Sequence, residues 1–158
     1  MSLHLTDQSA VYRAIQPLLA ANTYLKGSGL GDELIHLISM RASQINGCAY
    51  CLALHQKTLR EAGQREDRLA VLPAWREAAD WFTERERAAL AWTEAVTILD
   101  NREVPDDVIE QARAQFSEQE LVDLTLAVTT INGFNRFNVS FHNPPVAFEI
   151  DRSAIAAD

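Results

Sequence analysis

Apolar residues recur at three- and four-residue intervals along almost the whole chain, the spacing of helices that each bury one stripe. The first such stretch starts after Asp7 and carries Val11, Ile15, Leu18 and Leu19, with Pro17 as a kink point, and it runs out at Gly27-Ser28-Gly29. A second helix is expected from about Leu30 to Ile45, before Asn46-Gly47 punctuates the chain, and a third from Cys48 through Ala62, stopped by Gly63. Short helical pieces fill Arg65 to Asp80. Thr83 with Glu86 forms a capping box that opens a helix through Leu90, Val96 and Leu99. Another follows Pro105, which suits a first-turn position, and reaches Phe116. Ser117 with Glu120 makes a second capping box, opening a long helix through Leu121, Leu124, Val128, Ile131 and Phe134 that should end at Pro144-Pro145. Alternating β-branched runs and hairpin turns are absent, so the expected class is all-α, with about six to eight helices.

Composition narrows the function. With 158 residues and no long linker or internal repeat, residues 1–158 are expected to form one helical domain. Lys and Arg number 14 against 22 Asp and Glu, a net charge of −8 that has the wrong sign for phosphate backbones or anionic lipid, so nucleic acid and membrane are not expected partners. No apolar run suits a membrane span and no secretory leader is visible, which points to the cytoplasm. Both cysteines lie three residues apart, at Cys48 and Cys51, a placement that suggests redox or metal chemistry rather than a disulfide framework.

Cys48, Cys51 and His55 fall within an arc of about 60° on a helix, so two sulfurs and an imidazole share one face. In a helix's first turn, unpaired N–H groups and the dipole favour a thiolate, which predicts a lowered thiol pKa. His55 is one turn after Cys51 and within reach of its proton, directly or through water, making Cys51 the better nucleophile. Cys48, nearer the helix end, is then the resolving thiol, its disulfide exchanged with an external thiol reductant. Two alternatives stand beside this. The three residues could be small core side chains, or they could supply three ligands of a zinc site that His36 or His142 would complete.

The run Arg41-Ala42-Ser43-Gln44-Ile45-Asn46-Gly47-Cys48-Ala49-Tyr50-Cys51, followed by His55 and Lys57, resembles the carboxymuconolactone decarboxylase superfamily, and within it the alkylhydroperoxidase D-like (AhpD-like) branch. Phe82–Leu90, Glu94–Thr97, Phe116–Glu120 and Ile131–Arg136 are also similar to that family, so the resemblance spans about residues 33–145. It implies an all-helical fold assembled as a trimer or hexamer, and a peroxidase that reduces hydroperoxides without metal or organic cofactor. It also implies that Cys51 is peroxidatic, Cys48 resolving and His55 the relay base. The family's relay glutamate, twelve residues before the first cysteine, is replaced here by His36, which can also shuttle protons but with a different pH profile. Where that family's enzyme often has histidine between the cysteines, this chain has Tyr50, expected to pack.

On the second helix, Leu30, Leu34, Leu37, Ile38 and Ile45 form the apolar stripe; His36 falls outside it, and Glu33, one turn away, is a candidate supporting carboxylate. Arg41 lies inside the stripe and must be paired or close to the thiolate. Asn132, Asn135 and Arg136 are expected at helix ends or subunit contacts. His4 and His142 are expected at the surface or a terminus, and Trp75, Trp81 and Trp92 in core or interface packing. The remaining functional alternatives are a muconolactone-type decarboxylase, a thiol–disulfide reductase, and a redox-sensing or metal-binding interaction module.

Overall fold

A computed structural model describes residues 8–145 of the chain. Its helices are α1 (Gln8–Leu25), α2 (Asp32–Asn46), α3 (Ala49–Glu61), α4 (Glu66–Ala70), α5 (Glu84–Ile98), α6 (Asp106–Gln115) and α7 (Glu118–Ser140), with 3-10 turns at Leu72–Ala74, Ala79–Trp81 and Asp100–Arg102. No strand occurs among the described residues. The only sequence expectation that falls wholly outside them concerns His4.

Both capping boxes form: Thr83 and Ser117 each accept from the backbone N–H three residues on, and Glu86 and Glu120 answer reciprocally. Elsewhere the ends move by a residue or more. α2 starts at Asp32 rather than Leu30, because Gly31 holds a positive φ of 82° and leaves Asp32 and Glu33 in the first turn, where the dipole favours them. Cys48 is the N-cap of α3 rather than a residue within it. Leu99 takes a left-handed conformation, φ 49°, and so closes α5 one residue early. Pro105 precedes α6 as its N-cap. α7 ends at Ser140, followed by a left-handed turn at His142 (φ 52°), so the prolines lie beyond the stop and do not cause it.

α2 is the centre of the bundle, in contact with α3, α5 and α7, while α1 lies along α7 and α6 along α5. Leu34 and Ile38 of α2 pack with Leu124 and Val128 of α7; Leu37 packs with Leu59, Leu72 and Leu90. Each fully buried leucine contributes about 1.5–3 kcal/mol of transfer free energy. Trp75 is buried and Trp92 donates to Thr125, but Trp81 is 44% exposed, lying under the Arg65 guanidinium and outside the core. Arg41 is paired: its Nε donates to Glu94 at 2.7 Å, and Glu94 also accepts from Trp75 and Arg76. α1 approaches α7 closely at Gly133, where a Cβ would meet the Leu18 methyls at 3.0 and 3.2 Å. Among the described residues no helix is long and apolar enough to cross a membrane.

Candidate functional site

Gly47 ends α2 in a left-handed conformation (φ 67°) and turns the chain sharply into α3. Cys48 then caps α3, its sulfur accepting from the Cys51 N–H at 3.4 Å. The two sulfurs are 2.7 Å apart, both cysteines are free, and both belong to a small buried cluster with Ala42 and Ile131, against which Tyr50 and Phe134 pack. The packing role expected of Tyr50 is therefore observed.

One turn on, the buried His55 places its Nδ1 2.9 Å from Nδ1 of His36 on α2. One of these nitrogens must donate and the other accept, so the two rings cannot both be imidazolium. Burial holds His55 neutral, its pKa brought down to about 3, with the charge of His36 acting in the same direction. His36 is lowered as well, chiefly by burial and further by Lys26, against an upward pull from Asp32.

A cavity of about 590 Å³ opens over this constellation. Cys51, His55 and His36 line it, whereas Cys48 does not, lying beneath at 1% exposure. Apolar side chains of α1 and α7, among them Ile15, Leu19 and Phe134, form much of the remaining wall.

The lowered thiol pKa expected at the start of α3 is not observed at Cys51. Burial pushes its thiol up to about 12, and the neighbouring Cys48 sulfur adds to the rise, while hydrogen bonds from Asn135 and Asn138 pull it down. The dipole of a helix end is worth about 0.3–1 kcal/mol, too little to offset removal of the sulfur from water. Glu33, the candidate supporting carboxylate, is exposed, accepts from Gln64 at 2.8 Å and does not line the cavity, so the structure leaves it apart from His36. Nor do His36 and His142 complete a zinc site: among the described residues no three His, Cys, Asp or Glu side chains are arranged to hold an ion.

Of the polar residues of α7 expected at helix ends or subunit contacts, Asn132 and Asn135 meet Asn46 at the end of α2, and Arg136 donates to Asn132. Asn135, fully buried, donates to Ser43 and accepts from Asn46; Asn132 also accepts from Asn46 and donates to Thr97. Asn138, not singled out in the sequence, donates to the Cys51 sulfur at 3.4 Å. The visible signal was the three-residue spacing of Asn132, Asn135 and Asn138, which keeps three amides on one side of a helix.

Known proteins share this chain's sequence pattern and fold. Residues 9–95 match the model of the carboxymuconolactone decarboxylase family. The uncharacterized protein YdfG of Bacillus subtilis is 36% identical over 142 residues, covering 87% of this chain and 96% of its own. Over a stretch of 34 residues, 22% of this chain and 19% of the relative, the identity to alkyl hydroperoxide reductase AhpD of Mycolicibacterium smegmatis is 53%. A crystal structure of an Agrobacterium tumefaciens protein of unknown function, described as a candidate antioxidant defence protein AhpD, superimposes with a TM-score of 0.84 at 39% identity. That match covers 92% of this chain and 99% of the other, so the fold is AhpD-like. A peroxidase-related protein of Ralstonia eutropha, 21% identical, shares the fold with a TM-score of 0.75, covering 88% of this chain and 74% of that one. By the matched residues and by this kinship, the chain belongs to the carboxymuconolactone decarboxylase family.

Proposed function

We propose that the protein is a thiol peroxidase that reduces hydroperoxides through Cys51 and Cys48, using no metal or organic cofactor. The observation that carries this is the stacking of the pair: Cys51 lines the cavity with two histidines, and Cys48 is buried directly behind it, 2.7 Å from its sulfur. Cys51 is the sulfur a substrate would meet, and Cys48 the one placed to displace what Cys51 acquires.

A standing thiolate–imidazolium pair is not the resting state. Burial raises the Cys51 thiol and lowers the His55 imidazole, and both shifts keep the proton on sulfur. Proton transfer therefore accompanies attack. As the Cys51 sulfur bonds the terminal peroxide oxygen and the O–O bond breaks, the thiol proton leaves for the departing oxygen, giving the alcohol and a Cys51 sulfenic acid. His55 relays that proton through Nε2, because its Nδ1 is engaged with His36. His36 fixes the His55 tautomer and stands where the family has its relay glutamate. Cys48 then attacks the sulfenic sulfur, an S–S bond forms and water leaves, and an external dithiol restores both thiols by exchange. Residues 1–158 act as one unit in this scheme, in the cytoplasm and in a homo-oligomer, trimer or hexamer, for which exposed Ile98, Leu99, Val122 and Val139 offer contact surface.

Intact mass and sulfenic-acid trapping test the scheme. One equivalent of an organic hydroperoxide should remove about two mass units from the reduced wild-type chain, reversibly with a dithiol. Cys48→Ser should instead leave a dimedone-reactive sulfenic acid on Cys51, and Cys51→Ser should consume no peroxide. Unchanged mass with both thiols free would refute peroxidase chemistry, and dimedone labelling of Cys48 in the Cys51→Ser protein would reverse the two roles.

A further inference from the structure

We propose that Asn138 is a catalytic residue of this site, its side-chain amide donating to the Cys51 sulfur and stabilising the negative charge that develops there as the sulfur attacks. The assignment rests on the peroxidase scheme above for its purpose, though not for its measurement.

The donor is held in place from three sides. The Asn138 Nδ2 group donates both to Cys51 Sγ at 3.4 Å and to the Phe134 carbonyl one turn back at 2.9 Å, and its Oδ1 accepts from Asn143 Nδ2 at 2.8 Å. A flipped amide would set its oxygen against the Phe134 carbonyl and its NH2 against that of Asn143, so only the observed orientation satisfies all partners. Asn143 reaches back because the chain reverses immediately after α7: His142 takes a left-handed φ of 52°, and the Asn143 N–H bonds the Asn138 carbonyl at 3.0 Å. A non-glycine residue in that region is uncommon and costs free energy, and here it delivers the amide that fixes Asn138. Asn138 and Asn143 both line the cavity beside Cys51, so the donor faces the space where a substrate would lie.

The chemistry needs such a group. The sulfur lies among apolar neighbours with its thiol proton held tightly, and burial lowers the pKa of both histidines, so neither imidazole meets charge on the sulfur as a standing cation. An amide N–H aimed at the sulfur supplies the partial positive charge without altering the resting protonation of the histidines. Asn135 contributes in the same sense but is committed to Ser43 and Asn46 in the buried network beneath.

The test is the rate of Cys51 alkylation by iodoacetamide from about pH 7 to 10 in a Cys48→Ser background. Below its pKa a thiol reacts through its thiolate fraction, so loss of one donor worth about one pKa unit lowers that fraction about tenfold and, since the more basic thiolate is the better nucleophile, the rate about three- to fourfold. Asn138→Ala should show that fall, and Asn138→Asp, nearly isosteric but with a carboxylate in place of the donor, a larger one. Asn143→Ala leaves the contacting residue intact and should slow alkylation by a smaller factor, about twofold, through lost orientation. A purely structural role would loosen the cluster and speed alkylation. Unchanged or faster alkylation in the folded Asn138 variants overturns the assignment; should neither fold, the same result in Asn143→Ala does so. If the wild-type protein proves inert to hydroperoxide, the peroxidase scheme fails while the alkylation series still decides whether Asn138 serves the sulfur.

Discussion

Lowering the pH from about 7 to about 4.5 should destabilise the wild-type protein far more than a His55→Leu variant. His55 titrates near the usual 6.5 when unfolded and near 3 in the native chain, so between those values the unfolded state binds the additional proton. Stability from this group is therefore complete above about pH 6.5 and is lost progressively as the pH falls toward about 3. Over the stated interval the linkage amounts to about 2–3 kcal/mol. With a urea slope of about 2 kcal/mol/M, the wild-type midpoint should fall by about 1.2 M more than that of the variant. His55→Leu also loses the bond to His36, itself lowered and facing His55, so the difference in slope reports the coupled histidine pair. Equal pH slopes for the two proteins would refute the premise that His55 is buried and neutral. The same neutrality predicts that peroxide consumption carries no acid limb from His55 near pH 6.

Two further perturbations probe the frame that holds the site. Glu94→Gln should lower stability by about 2–3 kcal/mol in urea denaturation, because it strips a largely buried carboxylate from Arg41, which has a side-chain exposure of only 16%; no loss would mean Arg41 is paired elsewhere. Gly133→Ala should change stability by less than about 1 kcal/mol, because the helix propensity gained in α7 offsets the shift forced on the Leu18 methyls facing it from α1. Because α1 and α7 wall the cavity, the variant should also alkylate faster at Cys51 with bulky reagents than with iodoacetamide, and an unchanged ratio would separate α1 from access to the sulfur.

Much of the architecture was legible in the residue pattern because it rests on local rules. The helical period, the boxes at Thr83/Glu86 and Ser117/Glu120, and the stops at Gly47 and Gly63 involve atoms a few residues apart, and each formed as expected. The errors of one or two residues at Leu30, Leu99 and Pro105 arose where one backbone angle decided the end, and at Ser140 where the helix closed ahead of the prolines. The cysteine pair and His55 were likewise recognisable, since one helix turn is enough to bring them onto a common face.

The environment of those groups was not recognisable in the same way. Spacing could place Cys51 near a helix start, but whether the dipole or desolvation controls its proton depends on α7 and Ile131 closing over the sulfur. It could place Glu33 and His36 a turn apart, but only the packing of α2 on α3 sends His36 to His55 and leaves Glu33 with Gln64. Asn138 lies 87 residues from Cys51 and meets it only across helix packing. The sequence by itself determined which candidate groups share a helix face, because side-chain identity and helical period are local; tertiary structure decided their protonation, partners and access, because these depend on burial and contacts between distant segments.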